Sequence, residues 1–207
     1  MIYAPGHTTS SFGAALLGHP RYRVINGSIV FDGDDITMWP TNERAKAGLL
    51  FAAAHPQPVP GISVVQLLQQ ALSTAGSNAT SVLEVRQATL QAMQRLAVDP
   101  SMIDQPLDHH MSSHRRHQLE LTQLAVLQPT VAIVETDAST DFAMLRSALD
   151  GLDGGVIITD QQPPITGLEF THVHRLIDGR ITPFGTPTLT RHDDRDRFAS
   201  LQAAGTS

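Results

Sequence analysis

The sequence predicts an α/β fold with a parallel sheet, on three observations. Residues 49–53, 130–135 and 156–159 are apolar runs of strand length. Segments with the apolar spacing of a helix lie between and around them, at residues 64–97, 112–127 and 139–149. Strands alternating with helices pair in parallel, because each crossover must return along the sheet. With 207 residues, 41% hydrophobic and 16% charged, the chain can bury the core that such a sheet requires.

Taken in order, residues 6–17 read as a loop running into a short helix. Thr8, Thr9, Ser10 and Ser11 are candidate N-caps there, because their hydroxyls can accept from orphan backbone N–H groups. Residues 28–31 form a strand that ends in the tight turn Asp32-Gly33. A short helix follows over 41–47, then the strand 49–53. The run His55-Pro56-Gln57-Pro58-Val59-Pro60-Gly61 is expected to be irregular, since proline fixes φ and has no N–H to donate. Val64, Leu67, Leu68 and Leu72, then Val82, Val85, Leu90, Met93 and Leu96, mark two helices broken at residues 75–80. The tail changes character. Residues 172–177 and 180–182 predict a hairpin around Asp178-Gly179, and a charged helix over 191–197 follows.

Bulk properties exclude several function classes. A net charge of −6 argues against a nucleic-acid surface, which replaces phosphate counterions with basic side chains. Without cysteine the chain forms no disulfide and offers no thiolate to zinc or to an iron–sulfur cluster. There is no basic n-region with an apolar h-region, and no apolar run long enough for membrane insertion, so the expectation is a cytoplasmic protein. Lys46 is the only lysine, so any chemistry that needs an ammonium has one candidate.

Two stretches carry a resemblance. Gly18-His19-Pro20-Arg21-Tyr22, followed by Gly27-Ser28-Ile29-Val30-Phe31-Asp32-Gly33-Asp34-Asp35-Ile36, is similar to the GHPxYxV and GxIxFDGxDI runs of the ABC-type ATPase subunit of the Suf iron–sulfur cluster assembly system. Arg44 to Leu49, the Pro-Gly-Ile-Ser at 60–63, Leu127-Gln128-Pro129, Glu135-Thr136-Asp137 and Asp178-Gly179-Arg180-Ile181 continue it in the same order. The resemblance implies an ABC ATPase (P-loop NTPase-like) α/β core. A single domain would span 1–207, with a helical subdomain at about 64–105 inserted in the core. Met1 aligns with the end of the strand that feeds the family's P-loop, so the N-terminal β region is expected to be lacking.

The resemblance also locates the nucleotide motifs, and each departs from the pattern. A P-loop wraps phosphates with backbone N–H groups, reaches the β- and γ-phosphates with a lysine, and binds Mg²⁺ through a hydroxyl. It aligns with residues 3–11, leaving Gly6, Thr8, Thr9, Ser10 and Ser11 as the nucleotide-binding remnant. Gly6 and Ser10 match, but Thr8 replaces a glycine and Thr9 the lysine. A charge-assisted bond contributes ~1.5–3 kcal/mol, so that last change alone could weaken ATP tenfold or more. Ala54 stands where the family has the glutamine that senses the γ-phosphate. Of the ABC signature only Ser112 survives, with Ser113 and His114 in place of its glycines. The Walker B strand, 130–137, is one residue short. If Glu135 is the catalytic carboxylate, the metal-binding aspartate is deleted; if Glu135 is the metal ligand, the base is Thr136. The switch histidine aligns with Asp160, which cannot donate to a γ-phosphate at neutral pH.

These losses imply a non-catalytic subunit with no cofactor, where the family uses ATP and Mg²⁺. Its implied partners are Suf-type scaffold proteins or an ABC ATPase homologue. The implied docking segment lies beside the helical subdomain and includes Pro56, Val59, Pro60, Gly61 and Ile62. The rival readings are an ATPase working with unusual residues and a decaying paralogue. His109, His110, His114 and His117 form a histidine-rich stretch; His110, His114 and His117 would share one face if the helix begins early, but no carboxylate at a reliable spacing completes a metal site.

Overall fold

The computed structural model describes residues 2–3, 8–74, 81–161, 170–177 and 180–183. Its main sheet has six strands: β1 (Ile2–Tyr3), β4 (Leu49–Ala52), β7 (Val131–Glu135), β8 (Gly155–Asp160), β9 (His174–Ile177) and β10 (Arg180–Pro183). They lie in the order β10-β9-β1-β8-β7-β4, all parallel except β10, which pairs antiparallel with β9. The sheet is therefore the parallel one that the alternating pattern predicts. The central strand β1 has two residues, with Ile2 set between Thr159 and His174.

Among the described residues six α-helices accompany the sheet: α1 (Thr8–Leu16), α2 (Thr41–Lys46), α3 (Val64–Thr74), α4 (Val82–Arg95), α5 (Ser113–Leu127) and α6 (Phe142–Leu149). Helix α1 packs on β7 and β8, and α5 packs on β4 and α6. One apolar cluster joins the helical part to the sheet. It runs from Val64 and Leu68 on α3 and Val85 and Met93 on α4, through Leu119, Leu121 and Leu124 on α5, to Ala132, Val134 and Ile158 in the strands. Helix α4 begins with a reciprocal capping box: Ser81 accepts from the Glu84 N–H, and the Glu84 carboxylate accepts from the Ser81 N–H. The break expected at 75–80 and the terminal helix expected at 191–197 lie outside the described residues.

The Asp32-Gly33 turn forms as expected, between β2 (Val30–Phe31) and β3 (Asp34–Asp35). Both turn residues have positive φ, 49° and 89°, the pair that a two-residue primed turn requires. Four sequence expectations are corrected. Residues 8–11 all lie inside the first turn of α1, so the hydroxyls proposed as caps belong to helical residues. The proline-rich run is not wholly irregular, because β5 (Val59–Ser63) pairs antiparallel with β6 (Pro106–Leu107). Pro60 is tolerated because the register breaks between Val59 and Ser63 and this ribbon stands apart from the main sheet; Gly61, at φ 79°, supplies the irregular backbone. Helix α6 starts at Phe142, not at residue 139. Asp137 accepts from the Ser139 N–H and from the Ser139 and Thr140 hydroxyls, which winds residues 137–140 into a loop, and Asp141 then caps the helix. Ser112 caps α5, so His110 lies before that helix and shares no face with His114 and His117.

Candidate functional site

The parallel strands β7 and β8 end side by side, with Glu135 opposite Thr159, and α1 crosses this edge. The site is built there because apolar strand residues place their C-terminal polar neighbours at the rim of the sheet, where open α/β sheets bind ligands. The Ser10 hydroxyl donates to Oε1 of Glu135. The other oxygen, Oε2, accepts from the backbone N–H of Ala54 at 3.4 Å. One step further along the chain, the buried Thr136 hydroxyl donates to Oδ2 of Asp160 at 2.6 Å. The rim thus holds two acid–hydroxyl pairs.

The remaining sequence-predicted residues fall in three groups. Gly6 lies outside the described residues, and Thr8 and Thr9 are described only as helical backbone. Ser11 sits beside Ser10 on α1, half-buried. Ser112 is exposed, and its hydroxyl accepts from the Arg115 N–H at 3.3 Å, which commits it to capping α5. Val59, Pro60, Gly61 and Ile62 are exposed on the β5 ribbon, whereas Pro56 is buried and its carbonyl accepts from Arg116. Lys46, the only lysine, lies on α2 with its ammonium 3.6 Å from the Glu43 carboxylate. Among the described residues, no group of three or more histidines and acids is arranged to hold a metal ion.

Three side chains of α5 hold the exit of β4; sequence reasoning passed over Glu120 and Arg116, and weighed His117 only for a metal site. Glu120 accepts from the Ala53 N–H at 3.2 Å, and Nδ1 of His117 meets the Ala53 carbonyl at 3.2 Å. The Arg116 guanidinium donates to the carbonyls of Pro56, Asp108 and Met111. A signal for Glu120 exists in the sequence, since it is a lone acid between Leu119 and Leu121, both fully buried. Burial pushes its pKa up to about 7, although the Ala53 N–H works in the opposite direction. Burial likewise lowers the pKa of His117, against the Ala53 carbonyl and Asp137, which favour the charged form. Beyond β4, His55 meets Asp137 at 3.0 Å. Burial raises the Asp137 pKa, but bonds from Ser139 and Thr140, and His55 alongside, bring it below the ordinary value.

No family model matches the chain. Its sequence is 28% identical over 203 residues to Vegetative protein 296 of Bacillus subtilis, covering 93% of this chain and 78% of that one. It is also 28% identical over 211 residues to a probable ABC transporter ATP-binding protein of Streptococcus pyogenes, covering 97% and 82%. A probable ATP-dependent transporter of Synechocystis is 25% identical over 196 residues. Among solved structures, the ATP-binding cassette MJ0796 bound to ADP and Pi superposes with a TM-score of 0.72 at 13% identity, covering 92% of this chain and 84% of that one. The chain has the fold of an ATP-binding cassette. A second structure, the ADP conformation of the cassette MJ1267, matches over all of this chain with a TM-score of 0.66. The cassette-like fold expected from the resemblance is therefore the fold of this protein. No helix among its described residues is long and apolar enough to cross a membrane.

Proposed function

We propose that this ABC ATPase-like chain is a Suf-type subunit that does not hydrolyse ATP and serves iron–sulfur cluster assembly by binding other proteins. The buried Thr136–Asp160 pair carries the reading. The Ser10–Glu135 contact supports the register in which Glu135 stands at the metal-ligand position and Thr136 at that of the catalytic base. A threonine hydroxyl is no general base near neutral pH, and Asp160 is a carboxylate where the reaction needs a donor to the γ-phosphate. The ATP and Mg²⁺ that the fold implies meet a mixed site. Ser10 and Glu135 are hard oxygen donors that suit a divalent cation, but Asp160 beside Thr136 and the lack of any lysine nearby do not suit a triphosphate. As a set these residues do not fit the nucleotide.

Purified protein is expected to release phosphate from magnesium-ATP no faster than buffer, and Glu135→Gln to leave that background unchanged. The rival is an ATPase with unusual residues, in which the oxygens of Ser10 and Glu135 would hold the cation. Turnover that Glu135→Gln abolishes would establish that rival and overturn the proposal.

The proposed docking face is the β5 ribbon, where Val59 and Ile62 are each 37% exposed and Pro60 and Gly61 lie between them. Its proposed partners are Suf-type scaffold proteins or an ABC ATPase homologue. Co-expression with the scaffold proteins is expected to yield a complex that forms equally with and without ATP. Val59→Asp and Ile62→Asp should each weaken it at least about tenfold, because a carboxylate would enter a desolvated contact. A chain that stays alone while an intact Suf ATPase binds the same scaffold would remove this reading.

A further inference from the structure

Strands β2 and β3 stand apart from the main sheet and pair only with each other among the described residues. The Ile36 N–H donates to the Ile29 carbonyl, which makes Ile29 and Ile36 a hydrogen-bonded pair. The ladder alternates, so Val30 and Asp35 are the intervening pair, with their N–H and C=O groups turned outward from the two strands. Ile29, Phe31 and Ile36 share the inner face, where Ile36 is fully buried. Val30 lies on the opposite face, 62% exposed. The same stretch of chain exposes Tyr22, Ile25 and Met38. Two short strands are marginal by themselves, and an unguarded strand edge is a template for another strand.

We propose that β2 pairs edge to edge and antiparallel with β2 of a second copy of this chain, across a two-fold axis at Val30. The Val30 N–H of each copy donates to the Val30 carbonyl of the other, and Phe31 lies opposite Ile29 of the other copy. The four strands form one sheet in the order β3-β2-β2-β3, and its inner face gains two apolar Phe31–Ile29 pairs. Charge selects both this edge and this occupant. Pairing through the β3 edge would centre on Asp35 and set acid against acid, which is destabilising. Along the β2 edge the charges are complementary. Antiparallel order brings the acidic turn of one copy, with Asp32 and Asp34, to the residues leading into β2 of the other, and Arg21 and Arg23 lie on that leading segment. All four side chains belong to exposed residues, and none forms an ion pair within its own chain among the described residues. Neither the nucleotide motifs nor the β5 ribbon takes part in this contact, which is independent of the proposed scaffold docking.

The test is sedimentation velocity of the full chain, free of other proteins, over an about hundredfold range of concentration up to about 1 mM, because a contact this small associates weakly. A concentration-dependent dimer is expected, and added salt should weaken it, since the Asp–Arg contacts are exposed. Amide exchange at Val30 should slow in step with the dimer fraction. Val30→Pro removes the outward N–H but leaves the bonds of the Ile29–Ile36 and Phe31–Asp34 pairs in place, so it should abolish the dimer. Val30→Lys guards the edge with a charge and should weaken the dimer at least about tenfold. Arg23→Asp should weaken it less, by a few fold. If Val30→Pro does not fold, Val30→Lys decides, because that side chain lies outside the core. A chain that stays monomeric over the whole range would overturn the pairing. So would a dimer that survives Val30→Lys, or one that Val59→Asp dissociates and Val30→Lys does not, since the β5 ribbon would then hold it. Val30 exchange that is slow at every concentration would also overturn it, by showing that another stretch of the same chain covers this edge.

Discussion

Replacing Arg44 by alanine is expected to lower folding stability by about 3–5 kcal/mol, read from urea denaturation midpoints at constant m. Arg44 is 2% exposed, and no carboxylate pairs with it among the described residues. Its guanidinium instead donates to four backbone carbonyls: Trp39 at 3.0 Å, Ala15 at 3.1 Å, Leu16 at 2.6 Å and Thr37 at 2.8 Å. Ala15 and Leu16 close α1, where the last carbonyls lack intrahelical donors and the helix dipole is negative. One side chain therefore satisfies the end of the helix that crosses the candidate site and pins the loop before α2 against it. Alanine would remove this donor from the Leu16, Thr37 and Trp39 carbonyls, whereas the Ala15 carbonyl keeps the Gly18 N–H at 3.0 Å. Arg44→Lys should recover less than about half of the loss, because a single ammonium cannot reach carbonyls on both sides of the planar fork. A loss below about 1 kcal/mol for Arg44→Ala would mean that water replaces the guanidinium.

Glu120→Gln is expected to make stability less dependent on pH. The folded-state pKa, about 7, lies above the ordinary 4.5, so between those values the folded chain binds more protons than the unfolded one. Stability falls as pH rises through that window and levels off above about 7. The full difference is on the order of 3 kcal/mol, from ~1.4 kcal/mol per pKa unit. Glutamine keeps the carbonyl acceptor for the Ala53 N–H and cannot ionise. The variant should therefore gain stability relative to the parent on moving from about pH 5 to about pH 8, by an amount of that order. Parallel stability–pH curves for the two proteins would show Glu120 to be ionised in the fold without penalty.

Much of the fold was legible from local patterns. The apolar runs at 49–53, 130–135 and 156–159 became β4, β7 and β8, and the Asp32-Gly33 turn formed between β2 and β3. Each of these depends on spacing or on one backbone conformation, which neighbouring residues dictate. The β5 ribbon was not legible, because prolines forbid a regular strand but not a short, register-broken pairing with Pro106 and Leu107, which lie far along the chain. The start of α6 was missed for a local reason: Asp137, Ser139 and Thr140 bond to one another in place of a helical turn.

The candidate site divides in the same way. The sequence by itself supplied the residue types that the resemblance sets at the nucleotide motifs: Thr9 without a charge, Ala54 without a polar side chain, and Asp160 in place of a histidine. Spacing alone left two registers open for Glu135, because a strand one residue short can be aligned from either end. Only the tertiary structure brought Ser10 of α1 to Glu135 and paired Thr136 with Asp160 across two strands. It alone set Glu120, His117 and Arg116 on the exit of β4, and Arg44 on the end of α1. Burial and long-range hydrogen bonds depend on which surfaces the packed helices present to one another, and residues more than sixty positions apart carry no local mark of meeting.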